Sequence, residues 1–176
     1  MLQFRNLKPE EITAELFVSF DRKQTVNNCK RKVNGKWMVI SDPFIDDWDY
    51  EDYLYLVSCL KNTASTGGMV CGAFIDNKLK GFVSVEGELT GSHRQYMDLS
   101  SIHVSQEMRG KGIGRKLFEA AKTFAKNNNA EKLYISAHSA VESQAFYTAM
   151  GCKEAEEYDL KHVKKEPNDC QLEFEL

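Results

Sequence analysis
The sequence lacks a long apolar run. No stretch of about 18 residues is free enough of charge to span a bilayer, and Met1 to Pro9 reaches charged residues without first passing an apolar segment. Neither a membrane partner nor a secretory signal is expected. Cysteine is sparse: Cys29, Cys59, Cys71, Cys152 and Cys170 form no tight pair and are odd in number. That pattern argues against a disulfide framework and a four-thiolate zinc site; no metal is expected, and the thiols suit a reducing cytoplasm. An excess of one charge is also missing, since the formal net charge is -3 and no extended charge run or basic helix suits nucleic acid. The locally basic region around Lys30, Arg31, Lys32 and Lys36 reads as solvated surface. What remains is an ordinary globular composition, 42% apolar over 176 residues, enough for one domain with a sizeable core.

Glycine, by contrast, is concentrated at one place. Within Ile102-His103-Val104-Ser105-Gln106-Glu107-Met108-Arg109-Gly110-Lys111-Gly112-Ile113-Gly114, a strand passes through a glycine-rich turn into a helix. Gly110, Gly112 and Gly114 carry no Cβ, so the backbone turns tightly and a ligand can approach closely. The first N–H groups of the helix have no intrahelical partner, and its positive end favours phosphate. Arg109 and Lys111 can add charge-assisted contacts. Neither familiar nucleotide fingerprint fits. Gly114 is followed by Arg115 rather than by the Lys-Ser/Thr of a Walker loop, and the glycine spacing is not that of a dinucleotide fold, although Glu131 stands near the right distance. ATP and NAD are poor candidates.

The rest of the chain alternates strand and helix periods. A short strand ends near Leu7, and Pro9 opens a helix with Ile12, Leu16 and Phe20 on one face. Residues 21–35 lack periodicity and are expected as irregular surface chain; 36–40 is expected extended and ended by Asp42-Pro43. Asp46 is expected to cap the next helix with Asp49 in the reciprocal position, and Tyr50, Tyr53, Leu54, Val57 and Leu60 form its stripe. A hairpin over 69–75 and 79–86 turns at Asp76-Asn77-Lys78. A strand over 95–104, the helix after Gly112, a break at Asn127-Asn128-Asn129 and a strand over 133–137 follow. Ser139, with Glu142, is expected to cap a helix stopped by Gly151. Strands over 152–158 and 171–176 flank an irregular stretch, and the order as a whole is that of an α/β sandwich.

Arg109, Gly112 and Gly114 resemble the Arg/Gln-x-x-Gly-x-Gly/Ala pyrophosphate loop of the GCN5-related N-acetyltransferase (GNAT) superfamily. A second block, from Ser139 through Ala145-Phe146-Tyr147 to Gly151-Cys152, resembles that family's later helix, with Cys152 where Phe is common. The blocks stand in family order. The resemblance covers residues 69–176 well and the amino-terminal region in outline. It implies a GNAT-like α/β fold with a mixed, mostly antiparallel central sheet flanked by helices on both faces. It implies acetyl-CoA as co-substrate, contacted by Ile102, His103 and Val104 through their backbone and by Arg109, Gly110, Lys111, Gly112, Ile113 and Gly114. Ser139 stands where relatives often have an Asn that contacts pantetheine. The chain is then one acyl-CoA-dependent N-acyltransferase domain over 1–176, with 21–45 a variable segment near the acceptor site.

Acyl transfer to an amine needs a neutral nucleophile, a polarised thioester carbonyl and a proton for the departing thiolate. Tyr147, at the family's Phe-Tyr position, is the candidate general acid, because a phenol held near sulfur can donate. Asp98, expected on the strand face of Ile102 where some relatives place a carboxylate, is the candidate base; Glu86 and Glu88 are alternatives. His103, of opposite parity to Asp98, is expected to pack on the sheet or face solvent. Asp42, Asp46, Asp47, Asp49, Glu51 and Asp52, with Trp37 and Trp48 nearby, form an acidic and aromatic region suited to a cation. The expected activity is acetyl transfer to a primary amine in a ternary complex, a small cationic amine being favoured. A protein or peptide amine is the alternative acceptor, a catalytically silent CoA-binding sensory module the alternative function. The last strand leaves a homodimer open.

Overall fold
The computed structural model describes residues 1–176. The chain runs β1 (Leu2–Asn6), β2 (Gln24–Val33), β3 (Lys36–Asp46), α1 (Tyr50–Ser65), β4 (Met69–Ile75), β5 (Lys78–Thr90) and β6 (Tyr96–Val104). It continues α2 (Ile113–Asn127), β7 (Lys132–Ala137), α3 (Val141–Met150), β8 (Lys153–Glu154), α4 (Leu160–Lys165) and β9 (Cys170–Glu175). One sheet has the order β1-β4-β5-β6-β7-β9-β8, and β2 with β3 forms a separate ribbon. All neighbours in the large sheet are antiparallel except β6 and β7. The architecture is thus a mixed, mostly antiparallel sheet between helices.

Strand alternation sends successive side chains to opposite faces, and each face has its own cover. Val70, Phe74 and Phe82 pack under Leu56, Val57 and Leu60 of α1. Val83, Val85, Met97 and Leu133 pack under Ile113, Leu117, Phe118 and Ala121 of α2, with Tyr147 of α3 in the same core. No helix is long and apolar enough to cross a membrane.

Several local expectations are corrected. Residues 21–35 are mostly strand: β2 and β3 form a hairpin whose Asn34-Gly35 turn has φ of 49° and 77°, as a two-residue turn between twisted strands requires. Pro43 does not end β3. It lies where the register slips between Val26 and Asn28, a position that tolerates a residue without an N–H. The cap of α1 is Asp49, accepting from the Asp52 N–H in a reciprocal box, because Asp46 is still in β3. Pro9 starts short 3-10 turns, Ser139 precedes the true α3 cap Ala140, the strand expected over 152–158 is only β8, and α4 occupies part of the stretch expected to be irregular.

One irregularity positions the functional site. Val85 pairs with Leu99 while Ser84 pairs with Ser101, so Ser100 is an extra residue in β6. The parallel pairing of β6 with β7 stops at Asp98 opposite Tyr134. From there the two strands part, β6 keeping β5 and β7 keeping β9.

Helix α2 covers this region and carries the glycine loop at its amino end. Leu117 is 0% exposed within its core. Leu117→Ala is expected to lower the unfolding free energy by about 2–5 kcal/mol, read from urea denaturation. A loss below about 1 kcal/mol would mean that the helix is not the cover of this sheet face.

Candidate active site
Between the parted strands lies a cleft of ≈1180 Å³. Its floor is the edge of β6 from Leu99 to Val104, which has a strand partner on one side only. Backbone polar groups on such an edge must be met by water or a ligand, as in strand-addition recognition.

The glycine loop closes one end. Gly110 and Gly112 have φ of 74° and 80°, and a Cβ at either would meet nothing within 4 Å, so conformation and not space demands glycine there. Gly114 differs: a Cβ would sit 3.0 Å from the Phe146 ring, so its absence lets α2 and α3 approach. The N–H groups of Gly110, Lys111, Gly112, Ile113, Gly114 and Arg115 donate to no backbone acceptor. They form a cluster of donors at a helix amino end, where an anion is favoured. Arg109 turns inward, its Nε on the Val104 carbonyl and its Nη2 on the Arg22 carbonyl, both at 3.0 Å. Arg115 lines the cleft, while Lys111 is exposed nearby.

Tyr147 lies on the α3 wall of the same cleft, edge-on to Phe146. Burial raises its phenol above the ordinary value, so the proton is retained at neutral pH. His103 is also on the cleft, its ring 4.9 Å from Trp48 and 5.4 Å from Phe82. Burial, with Arg22, Arg109 and His138, pushes its imidazole well below the usual value, so it is neutral at pH 7.

Two expected site residues are elsewhere. The extra residue Ser100 reverses alternation between Asp98 and Ile102, so Asp98 shares the face of His103; still paired with Tyr134 of β7, it does not line the cleft. Its Oδ2 is 2.8 Å from His162 Nε2, and that hydrogen bond raises the imidazole. Ser139 is buried outside the cleft wall, its hydroxyl accepting from Arg31 at 2.5 Å and its carbonyl from Lys30 N–H. It ties β2 to the start of α3. Of the alternative bases, Glu86 accepts from the Thr63 and Ser100 hydroxyls and anchors the bulge, and neither it nor Glu88 lines the cleft.

Other side chains enter that the local pattern did not single out. Arg22, 5% exposed, donates to Asp46 at 2.7 Å and lies 4.9 Å over Trp48. His138 accepts from the Ala140 N–H on Nδ1 and holds Nε2 3.6 Å from Asp46. Asp169, immediately before β9, accepts from the Ser136 hydroxyl at 3.2 Å, and burial raises its carboxyl. Neither Arg22 nor Asp169 has a neighbouring sequence signal, since each meets the cleft only through long-range folding.

The family described as Acetyltransferase (GNAT) family has a model that matches residues 36–152. No curated protein matches. Among solved structures the chain is similar to nourseothricin acetyltransferase, at 18% identity and a TM-score of 0.73 over 99% of this chain and 98% of that one. It is similar to a Bacillus anthracis str. Ames protein designated a streptothricin acetyltransferase and solved with acetyl coenzyme A, at 18% identity and 0.71 over 100% and 97%. PaiA N-acetyltransferase from Thermoplasma acidophilum, in complex with coenzyme A, is similar at 16% identity and 0.63 over 100% and 99%. At these identities the likeness is one of fold.

The lowered imidazole of half-buried His103 affects stability. His103 binds a proton less readily folded than unfolded, so its contribution is full above the unfolded value of about 6.5 and is lost as pH falls below it. His162, raised by Asp98, acts in the other window: its contribution is full below about 6.5 and is lost as pH rises through the folded value. His103→Phe is expected to flatten the acid-side decline by up to about 1.4 kcal/mol per pH unit, measured by urea titrations at stepped pH. A profile parallel to the wild type would show that the folded ring accepts its proton normally.

Proposed function
The chain belongs to the acetyltransferase (GNAT) family, and on that premise we propose that it moves acetyl from acetyl-CoA to a primary amine by direct attack in a ternary complex. The observation that carries this reading is one cleft uniting the free N–H groups of Gly110, Gly112, Ile113, Gly114 and Arg115, an unpaired strand edge and a buried tyrosine. Its parts match the parts of acetyl-CoA. The N–H groups of Gly110 to Arg115 receive the pyrophosphate, with Lys111 and Arg115 supplying positive charge. Ile102, His103 and Val104 offer their backbone to the pantetheine amides. Arg109 contributes by anchoring the loop, since its side chain is committed to two carbonyls.

Tyr147 gives its proton to the departing sulfur. A neutral phenol suits that role, because it reaches the step protonated and needs no cationic form. The acceptor enters from the side of β2 and β3, where Phe44, Asp46 and Trp48 line the cleft, so segment 21–45 supplies part of its wall. Carboxylates with aromatic neighbours favour a cationic amine. The similar structures named for nourseothricin and streptothricin support a small-molecule acceptor.

Incubation with acetyl-CoA and a panel of small, peptide and protein amines, read by product mass and thiol release, is expected to show transfer to small cationic amines. Transfer confined to peptides or proteins would overturn the acceptor assignment, and acetyl-CoA binding without any transfer would identify a silent binding module. Tyr147→Phe is expected to lower kcat on the order of 10²–10⁴-fold while acetyl-CoA affinity stays within about twofold. Gly112→Val is expected to weaken CoA at least about tenfold in calorimetry, because a β-branched residue resists the left-handed loop conformation. Unchanged affinity would remove the loop from the binding site.

A further inference from the structure
An ammonium ion has no lone pair for attack, so acyl transfer to a cationic amine requires a group that takes its proton. Four carboxylates line the cleft: Asp46, Glu142, Glu166 and Asp169. Asp46 already receives the Arg22 guanidinium at 2.7 Å. Glu142 and Glu166 are exposed, and water competes for them. His138 fails for another reason. Its Nδ1 lone pair is filled by the Ala140 N–H, which in the neutral ring leaves the proton on Nε2 facing Asp46.

Asp169 differs from all of these. It is half-buried, has no ion-pair partner and shares the cleft wall with Tyr147. Ser136 fixes it: the serine oxygen accepts from Gln171 Nε2 at 3.0 Å and donates its own proton to Asp169 Oδ2 at 3.2 Å. Burial raises the carboxyl, the Ser136 hydrogen bond opposes, Glu166 adds to the rise, and His138 and His162 counter it. Tyr147 on α3 and Cys170, the first residue of β9, are the other titratable groups within electrostatic reach, and the carboxylate raises both.

We propose that Asp169 is the proton acceptor for the incoming amine, a role that rests on the acetyl-transfer reading and completes it with a base separate from Tyr147. Asp169 takes one ammonium proton, and the freed nitrogen lone pair attacks the thioester carbonyl carbon. The C–S bond breaks with its electron pair on sulfur, which takes the Tyr147 proton. The second nitrogen proton restores the phenol through solvent, and the proton on Asp169 leaves to water. The products are the amide, CoA thiol and one released proton.

With an amine accepted by the wild type, Asp169→Asn is expected to lower kcat about 10²-fold at pH 7, to keep acetyl-CoA affinity within about twofold, and to abolish the acid limb of kcat/KM. The deficit shrinks above the pKa of the amine, where the nucleophile arrives neutral. Asp169→Glu keeps an acid limb, and Ser136→Ala moves that limb to higher pH by removing a bond that favours the carboxylate. A wild-type kcat with an intact acid limb in Asp169→Asn, or a deficit equal at every pH, would overturn the proposal while leaving acetyl transfer standing. No transfer by the wild type would instead overturn the acetyl-transfer reading and the proposal with it.

Discussion

The parting of β6 from β7 after Asp98 is the constraint on which the rest of the molecule is arranged. A central strand normally satisfies its backbone on both edges, and leaving one edge open is costly unless something polar reaches it. Here the extra residue Ser100 bends β6 away, and Glu86 fixes that residue through its hydroxyl while also holding Thr63 of α1. The same bend carries Val104 toward the glycine loop, so the free strand edge and the free N–H groups of α2 open on one cleft. Backbone geometry alone thereby offers unpaired groups suited to an extended, amide-bearing and phosphate-bearing molecule.

Charge then divides the cleft. The amino end of α2 with Arg115 favours an anion, whereas Asp46 and Asp169 place carboxylates on its walls. Burial acts on Tyr147 and Asp169 in the same direction, raising both acids, yet the chemical consequences differ. A phenol already protonated at pH 7 keeps its proton, while a carboxylate whose affinity for a proton is raised becomes a stronger base. Burial together with Arg22, Arg109 and His138 keeps the half-buried His103 neutral at pH 7.

The segment from Ile102 to Gly114 was legible because its demands are local: glycine where φ is positive, and a helix start beside it. The Asp76-Asn77 turn was legible for the same reason, both residues being left-handed. The Asn34-Gly35 turn carries an equally local signal, but β2 and β3 lie outside the main sheet and much of the ribbon is solvent-exposed, so their polar composition hides the strand alternation. The face of Asp98 was misread for a different reason. Alternation transmits parity only through an unbroken strand, and the bulge depends on Glu86 and Ser84, partners in another strand. Arg22 and Asp169 belong to the same category, since their surroundings exist only after the ribbon and the last strand dock.

The docking of the ribbon also explains why Arg109 faces inward. Its Nε fixes the end of β6 at Val104, and its Nη2 fixes the carbonyl of Arg22, whose own side chain holds Asp46 of β3. Arg31 and Lys30 join β2 to Ser139, and Lys32 and Trp37 join the distal end of the ribbon to Glu154. The ribbon is therefore a braced wall tied to the main domain along its length. Arg109 belongs to that bracing as much as to the loop: a displacement of the glycine turn must strain a hydrogen bond to the segment that leads into the ribbon. Two regions far apart in sequence, the glycine turn and the ribbon, are thus mechanically joined through the Arg109 guanidinium, beside the Gln106 N–H on the Asp21 carbonyl and the Asp21 N–H on the Ser105 hydroxyl.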